Sequence, residues 1–206
     1  MSARYRSLLI FGAPGVGKGT QGKLLGSIPG FFHLSTGDIF RSLDMNSHAG
    51  RVFREYSARG ELVPDDFTIR LWRDHLRLMI ETDRYNPDRH LLVLDGIPRN
   101  AAQAERMDGD IDVLQILHLA AGDEAVLLKR MQRRADFENR HDDADEHVIR
   151  NRWAVYDRAT LPVLEHYGLD RRVEIDAIGS PGRVLLHILQ AAVPLHEKHF
   201  SNALED

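Results

Sequence analysis

Residues 8–25 read LLIFGAPGVGKGTQGKLL: an apolar run, then Gly12, Gly15, Gly17 and Gly19 around Lys18, then the opening of a helix. A short apolar run bounded by glycine reads as a buried strand. Gly12 to Lys18 spell G-x-x-x-x-G-K, the spacing in which successive backbone N–H groups curl around a phosphate. Glycine is needed there because the chain must approach the anion closely and visit positive φ. Lys18 adds a flexible point charge, and a helix beginning near Thr20 adds the positive end of its dipole. A plain strand-to-helix turn needs one or two glycines, not four with a lysine among them. Gly15, Val16, Gly17, Lys18, Gly19 and Thr20 are therefore the expected phosphate cradle. The hydroxyl residue that usually follows the lysine directly is displaced by one position, Gly19 standing before Thr20.

Outward from this loop, apolar runs at 7–11, 32–35, 91–95, 113–119 and 172–176 read as five strands separated by helical patterns. Strands apolar on both faces and alternating with helices predict an α/β fold, a parallel sheet covered on both sides. In such sheets ligands bind beyond the carboxyl ends of the strands, which directs attention to the loops after Phe11, Ser35, Asp95 and Leu119. Two segments break the alternation. Residues 35–63 are helical without a strand and end in RGELVPDD, which reads as a small helical lobe. Residues 134–145, RADFENRHDDAD, are too polar for a core and read as an exposed, mobile loop. The tail HEKHFSNALED lacks a clear pattern and reads as a frayed end.

The 206 residues, 43% of them hydrophobic, suffice for one domain with small inserted lobes. A net charge of −4 argues against a nucleic-acid or anionic-membrane partner. The absence of cysteine excludes disulfides and thiolate metal sites. No apolar run is long enough to span a bilayer, and the N-terminal apolar stretch is too short for a signal peptide. A cytoplasmic, soluble monomer is the expectation.

The motifs GAPGVGKGTQ, STGDIFR and LDGIPRNAAQ, followed by a cluster of arginines, together resemble the adenylate kinase family of nucleoside monophosphate kinases, in family order and over nearly the whole chain. The resemblance implies a three-layer P-loop NTPase fold with a core of residues 1–34, 64–132 and 144–206, an AMP-binding lobe at 35–63 and a short lid at 133–143. It implies magnesium-dependent phosphoryl transfer between ATP and AMP, with ADP as product and no zinc in the lid. Asp95, ending an apolar strand, is placed to hold magnesium through water; capping of the next turn is its alternative role. Arg99 is expected to grip the acceptor phosphate and Gln103, four residues on, to read the adenine edge. Gly96 and Ile97 lie beside them, Ile97 where the family usually has phenylalanine, before a proline whose peptide bond is commonly cis. Thr36, Arg41, Glu61, Leu62 and Val63 complete the implied AMP site. Ser35, Thr36 or Asp38 alternatively caps a helix.

The arginines are judged by position. On a helical wheel from Val148 to Thr160, Arg152 falls within the arc of Val148, Ile149, Trp153, Val155, Tyr156 and Ala159. A guanidinium cannot discharge, so a carboxylate or a ligand phosphate must face it. Arg150, Asp157 and Arg158 fall on the solvated side. Arg130 and Arg134 point together beside Leu127 and Met131. The resemblance places Arg130 against the ATP base and phosphates, and Arg134, Arg140 and Arg152 around the transferring group. Arg140 is alternatively a solvated loop charge. Backbone near Ala177 and Gly179 is expected along the ATP adenine. His33, His75 and His118 read as structural.

Overall fold

The computed structural model describes residues 4–138 and 143–202. Five strands, β1 Tyr5–Phe11, β2 Phe31–Ser35, β3 Leu91–Asp95, β4 Ile111–Ala120 and β5 Arg172–Asp176, form one sheet in the order β2-β3-β1-β4-β5. Every pairing is parallel, and the predicted α/β class holds. β1 and β4 each begin two residues before the apolar runs do, because Tyr5 and Arg6 pair with Ile111 and Asp112 in the ladder. Hydrogen bonding, not apolarity, sets those ends.

Side chains alternate across a strand, so β1 feeds two cores. Leu8 and Ile10 join Val93 and Leu117 beneath Leu127, Met131, Ile149, Val184 and Ile188. Leu9 and Phe11 join Leu92, Leu94 and Ile116 beneath Trp72, Met107 and Val163. The covering helices are α1 Lys18–Leu25, α4 Asp65–Glu81, α5 Ala101–Met107, α6 Glu124–Glu138, α7 Glu146–Val155, the short α8 Val163–His166 and α9 Pro181–His199. The remaining two, α2 Thr36–Arg41 and α3 His48–Ala58, lie within the strandless segment 35–63.

Three readings are refined. Between α7 and α8, Tyr156–Thr160 form a single π-turn, so the wheel drawn to Thr160 slips by part of a turn there. The polar stretch 134–145 is helical through Glu138, and Asp143 within it is fully buried. The tail opens on a helix: α9 carries His196 onto Phe31, with ring centroids 5.0 Å apart, and Phe200 stacks on His196. A run that looks polar therefore holds an aromatic stack.

His33 fills the space over α1 that two glycines leave open. Helix propensity alone favours alanine over glycine at Gly22 by about 1 kcal/mol. A Cβ there falls 2.3 Å from His33 Nε2 and 2.5 Å from Cδ2, too close for either group. Gly22→Ala is expected to destabilise the protein by about 1–3 kcal/mol, read as a lower urea midpoint. A midpoint at or above that of the wild type would show that His33 swings aside without cost.

Candidate active site

Two cavities open beyond the carboxyl ends of β1, β2 and β3. The first, about 520 Å³, runs from the glycine-rich loop to the strandless lobe. It gathers Gly15, Gly17, Lys18, Gly19, Thr20, Thr36, Arg41, Glu61, Leu62, Val63, Asp95, Gly96, Ile97, Arg99, Gln103, Arg134 and Arg152. The second, about 490 Å³, lies on the other side of the loop and is lined by Gly15, Val16, Gly17, Thr20, Arg130, Arg134, Ala177 and Gly179, among others. Every site residue singled out in the sequence lines one or both cavities, except Arg140, which lies outside the described residues.

The loop is shaped by its glycines: Gly12, Gly15 and Gly17 have φ of 147°, 88° and 106°. A Cβ on Gly12 meets the Leu119 carbonyl oxygen at 2.5 Å, so this position also needs a bare backbone for packing against β4. The helix begins at Lys18, two residues earlier than expected, with left-handed Gly17 as its cap and no side-chain cap. Its first N–H groups thus face the cavities without a side chain of their own to bind, the setting in which an anion serves as cap. Trp153 anchors the loop from α7, its indole N–H donating to the Pro14 carbonyl at 3.1 Å.

Lys18 lies part-buried across this loop, Nζ donating to Gly12 O at 2.6 Å and Ala13 O at 3.2 Å. Burial is the largest influence on its pKa, and nearby Arg99, Arg152 and Arg134 act in the same direction; Asp95 opposes them. The balance lowers Lys18 from 10.5 to about 7. Between those values the unfolded chain holds a proton that the folded, ligand-free protein lacks, so this group's contribution to stability rises with pH across the window. Phosphate oxygens restore the proton. ATP binding at pH 8 is expected to take up about one proton through this group, and none through it at pH 6. Titration calorimetry in buffers of different ionisation enthalpy measures the count. Zero uptake at pH 8 would separate Lys18 from the bound phosphates.

Asp95 ends β3 with its carboxylate buried beside the loop: Oδ2 is 3.6 Å from the position a Cβ on Gly19 would take and 3.9 Å from His33 Nε2. Among the described residues no cluster of three metal-binding side chains exists. One buried carboxylate next to a phosphate cradle fits a magnesium ion, which keeps most of its waters and takes its other ligands from phosphate.

In the lobe, Ser35 is the cap: its hydroxyl accepts from Asp38 N. That leaves Thr36 to donate to Gly96 O at 2.8 Å, tying β2 to the turn after β3. Asp38 instead holds Arg41, at 2.5 Å. The Ile97–Pro98 bond is cis, as the resemblance implies. Arg99 precedes α5 rather than lying on it, so Arg99 and Gln103 meet through the helix start, not along one helix face. Asn100 caps by accepting from Gln103 N at 2.8 Å, while Gln103 Oε1 accepts Arg99 N–H at 2.7 Å. The Arg99 side chain turns back, Nε donating to Gly96 O at 2.9 Å. The π-turn adds a brace, Thr160 Oγ1 donating to Arg99 O at 2.9 Å.

The carboxylate demanded by Arg152 is Asp143. It is fully buried, one oxygen on Arg152 Nη1 and the other receiving Arg134 Nε at 2.7 Å. Its surroundings in the sequence read as exposed because they are mostly polar, although Arg152 in its apolar arc signals the need for a carboxylate. Arg130 reaches across to Ala177 O, both terminal nitrogens at 3.3 Å, and so fixes the turn after β5 that carries Gly179. Asp65, which accepts from Gln103 Nε2 at 2.7 Å, is a partner that no sequence motif announces.

A parallel sheet whose central strand opens into a glycine-rich loop, with a second cavity across that loop, defines the class as a P-loop fold of the nucleotide-binding kind. Comparison with known proteins narrows it. The sequence model of the family described as adenylate kinase matches residues 10–171. An adenylate kinase of Thermobifida fusca is 39% identical over 178 residues, covering 84% of this chain and 90% of that protein. One from Flavobacterium psychrophilum is 35% identical over 181 residues, with 84% and 91% covered, and one from Thermus thermophilus is 34% identical over 195, with 90% and 96% covered. The chain belongs to the adenylate kinase family and is a nucleoside monophosphate kinase. No helix among the described residues is long and apolar enough to cross a membrane.

Proposed function

We propose that the protein catalyses the reversible, magnesium-dependent transfer of the γ-phosphoryl group of ATP to AMP, giving two ADP, and so balances adenine nucleotides in the cytoplasm as a monomer. The observation that carries this reading is that two cavities share one boundary: Gly15, Gly17, Thr20 and Arg134 line both. Two phosphorylated ligands, one in each, meet at that boundary.

In this reading Gly15 to Thr20 cradle the ATP phosphates, and Arg130 and Gly179 flank its base. Arg99 and Arg41 hold the AMP phosphate, while Thr36, Glu61, Leu62, Val63, Gly96, Ile97 and Gln103 surround the AMP nucleoside. Arg134, Arg152 and Arg140 surround the transferring group. Asp95 would hold magnesium beside the cradle, and the bound ion would supply charge neutralisation to the ATP phosphates. The demand for cations is physical: two phosphate charges about 4 Å apart repel by roughly 4 kcal/mol at an effective dielectric of 20. Phosphoryl transfer then requires positioning, electrostatics and exclusion of water, with no covalent intermediate. Residues 35–63 serve as the AMP-binding lobe and 133–143 as the short lid that provide the exclusion.

A coupled assay with ATP, magnesium and AMP, CMP, UMP or GMP in turn tests the reading. ADP formation with AMP, well above the other three, is the expected result. Turnover with CMP or UMP but not AMP would reassign the acceptor, and Ile97 would be the first residue to re-examine.

A further inference from the structure

Gln103 lines the acceptor cavity yet is only 1% exposed. A carboxamide has two ends of similar shape and opposite polarity, and an unconstrained one turns over to suit its ligand. This one is constrained. Its Oε1 meets Arg99 N–H at 2.7 Å, a group that only donates. Its Nε2 meets Asp65 Oδ1 at 2.7 Å, and a carboxylate only accepts. Asp65 is itself held by Asn100 Nδ2 at 2.9 Å, and Asn100 Oδ1 accepts Gln103 N. Donors and acceptors alternate around these four residues, so one orientation of the amide satisfies all of them. Turning it over sets carbonyl against carboxylate and NH₂ against N–H, two mismatched buried contacts.

The start of α5 explains part of this arrangement, since Asn100 and Gln103 form its cap. It does not explain Asp65, which stands at the first position of α4 and reaches the amide from another element. After these bonds Gln103 retains one lone pair and one N–H. In the fixed orientation they complement a base edge that offers an amino donor beside an unprotonated ring nitrogen, as adenine does. They oppose an oxo base, whose acceptor and ring N–H are reversed.

We propose that Asp65 is a specificity-determining positioning residue: by locking the amide of Gln103, it makes the acceptor site select 6-amino purine monophosphates and reject their 6-oxo counterparts. This rests on the reading of the first cavity as the AMP site. Selectivity then arises one residue away from the ligand, in the group that removes a choice from Gln103. A site that leaves a ligand's polar group facing its own like rejects that ligand far more strongly than one that merely lacks a contact.

The test compares kcat/KM for three acceptors that differ only at the 6-position region: AMP, IMP with a 6-oxo group, and purine riboside 5′-monophosphate with hydrogen there. With a locked amide the wild type is expected to prefer AMP, then the 6-H analogue, then IMP, the last two separated by on the order of tenfold. A freely turning amide gives the opposite order for the last two, because it recovers a bond with IMP. In Asp65→Asn, whose side chain both donates and accepts, IMP is expected to gain about tenfold relative to AMP, while the 6-H analogue keeps its ratio within about twofold. The proposal is overturned if the wild type uses IMP as well as the 6-H analogue, or if Asp65→Asn changes all three acceptors by one common factor, the mark of a purely structural contact. The wild-type order tests the lock itself; should Asp65→Asn fail to fold, Asp65→Ser, whose hydroxyl likewise donates or accepts, carries the test of Asp65 with the same expected gain for IMP. Absence of turnover with AMP in the wild type would instead remove the AMP reading itself, a separate and distinguishable result.

Discussion

Lys18→Ala is expected to lower kcat by on the order of a thousandfold or more while leaving the thermal midpoint unchanged or slightly raised. The two effects have one origin. In the ligand-free protein the ammonium is desolvated and sits among Arg99, Arg152 and Arg134, which is why its pKa falls to about 7. Holding a charge there costs stability, and truncation relieves that cost. In the proposed reaction the same charge is expected to follow the negative charge of the phosphoryl group into the transition state. Arginine is expected to substitute poorly, because a planar fork does not reproduce the point charge with which the ammonium bridges the Gly12 and Ala13 carbonyls. Steady-state kinetics with a melting curve on the same preparation check both halves. A loss in kcat below tenfold would place Lys18 outside the reacting centre.

Asp143→Ala is expected to destabilise the ligand-free protein by about 3 kcal/mol, because two guanidiniums lose their shared counter-ion at once. That is the low end for a buried pair, since Arg134 and Arg152 keep 26% and 19% of their side-chain surface exposed. Nucleotide phosphates bound in the cavities supply a replacement anion. The difference in melting temperature between variant and wild type is therefore expected to shrink when ATP and AMP are added at saturating concentration. An equal difference with and without nucleotide would mean that Asp143 serves packing and not the charge of the arginines.

Much of this architecture is legible in the sequence because its signals are local. β3, Leu91–Asp95, is buried throughout, so five consecutive residues announce a central strand and its carboxyl end. The glycine-rich loop announces itself by spacing. What the sequence hides is any contact whose partners belong to different elements. Asp65 looks like an acidic first turn of α4, favoured by the helix dipole, until α4 and α5 are brought together against Gln103. Asp143 sits in a stretch whose composition argues for solvent, and only the geometry of α6 and α7 shows one carboxylate enclosed between them. His196 and Phe200 read as a fraying end because histidine does not count as apolar, yet its ring stacks like one.

Gly60 ends the helical lobe with φ of 68°, and a Cβ there would lie 2.8 Å from Val148 O and 2.9 Å from Arg152 Cγ. Alongside it, Asn151 Nδ2 donates to Arg59 O at 2.5 Å. The lobe is thus articulated directly on the helix that carries Arg152. Any displacement of residues 48–60 is therefore expected either to carry the helix of Arg152 with it or to break the Asn151–Arg59 hydrogen bond.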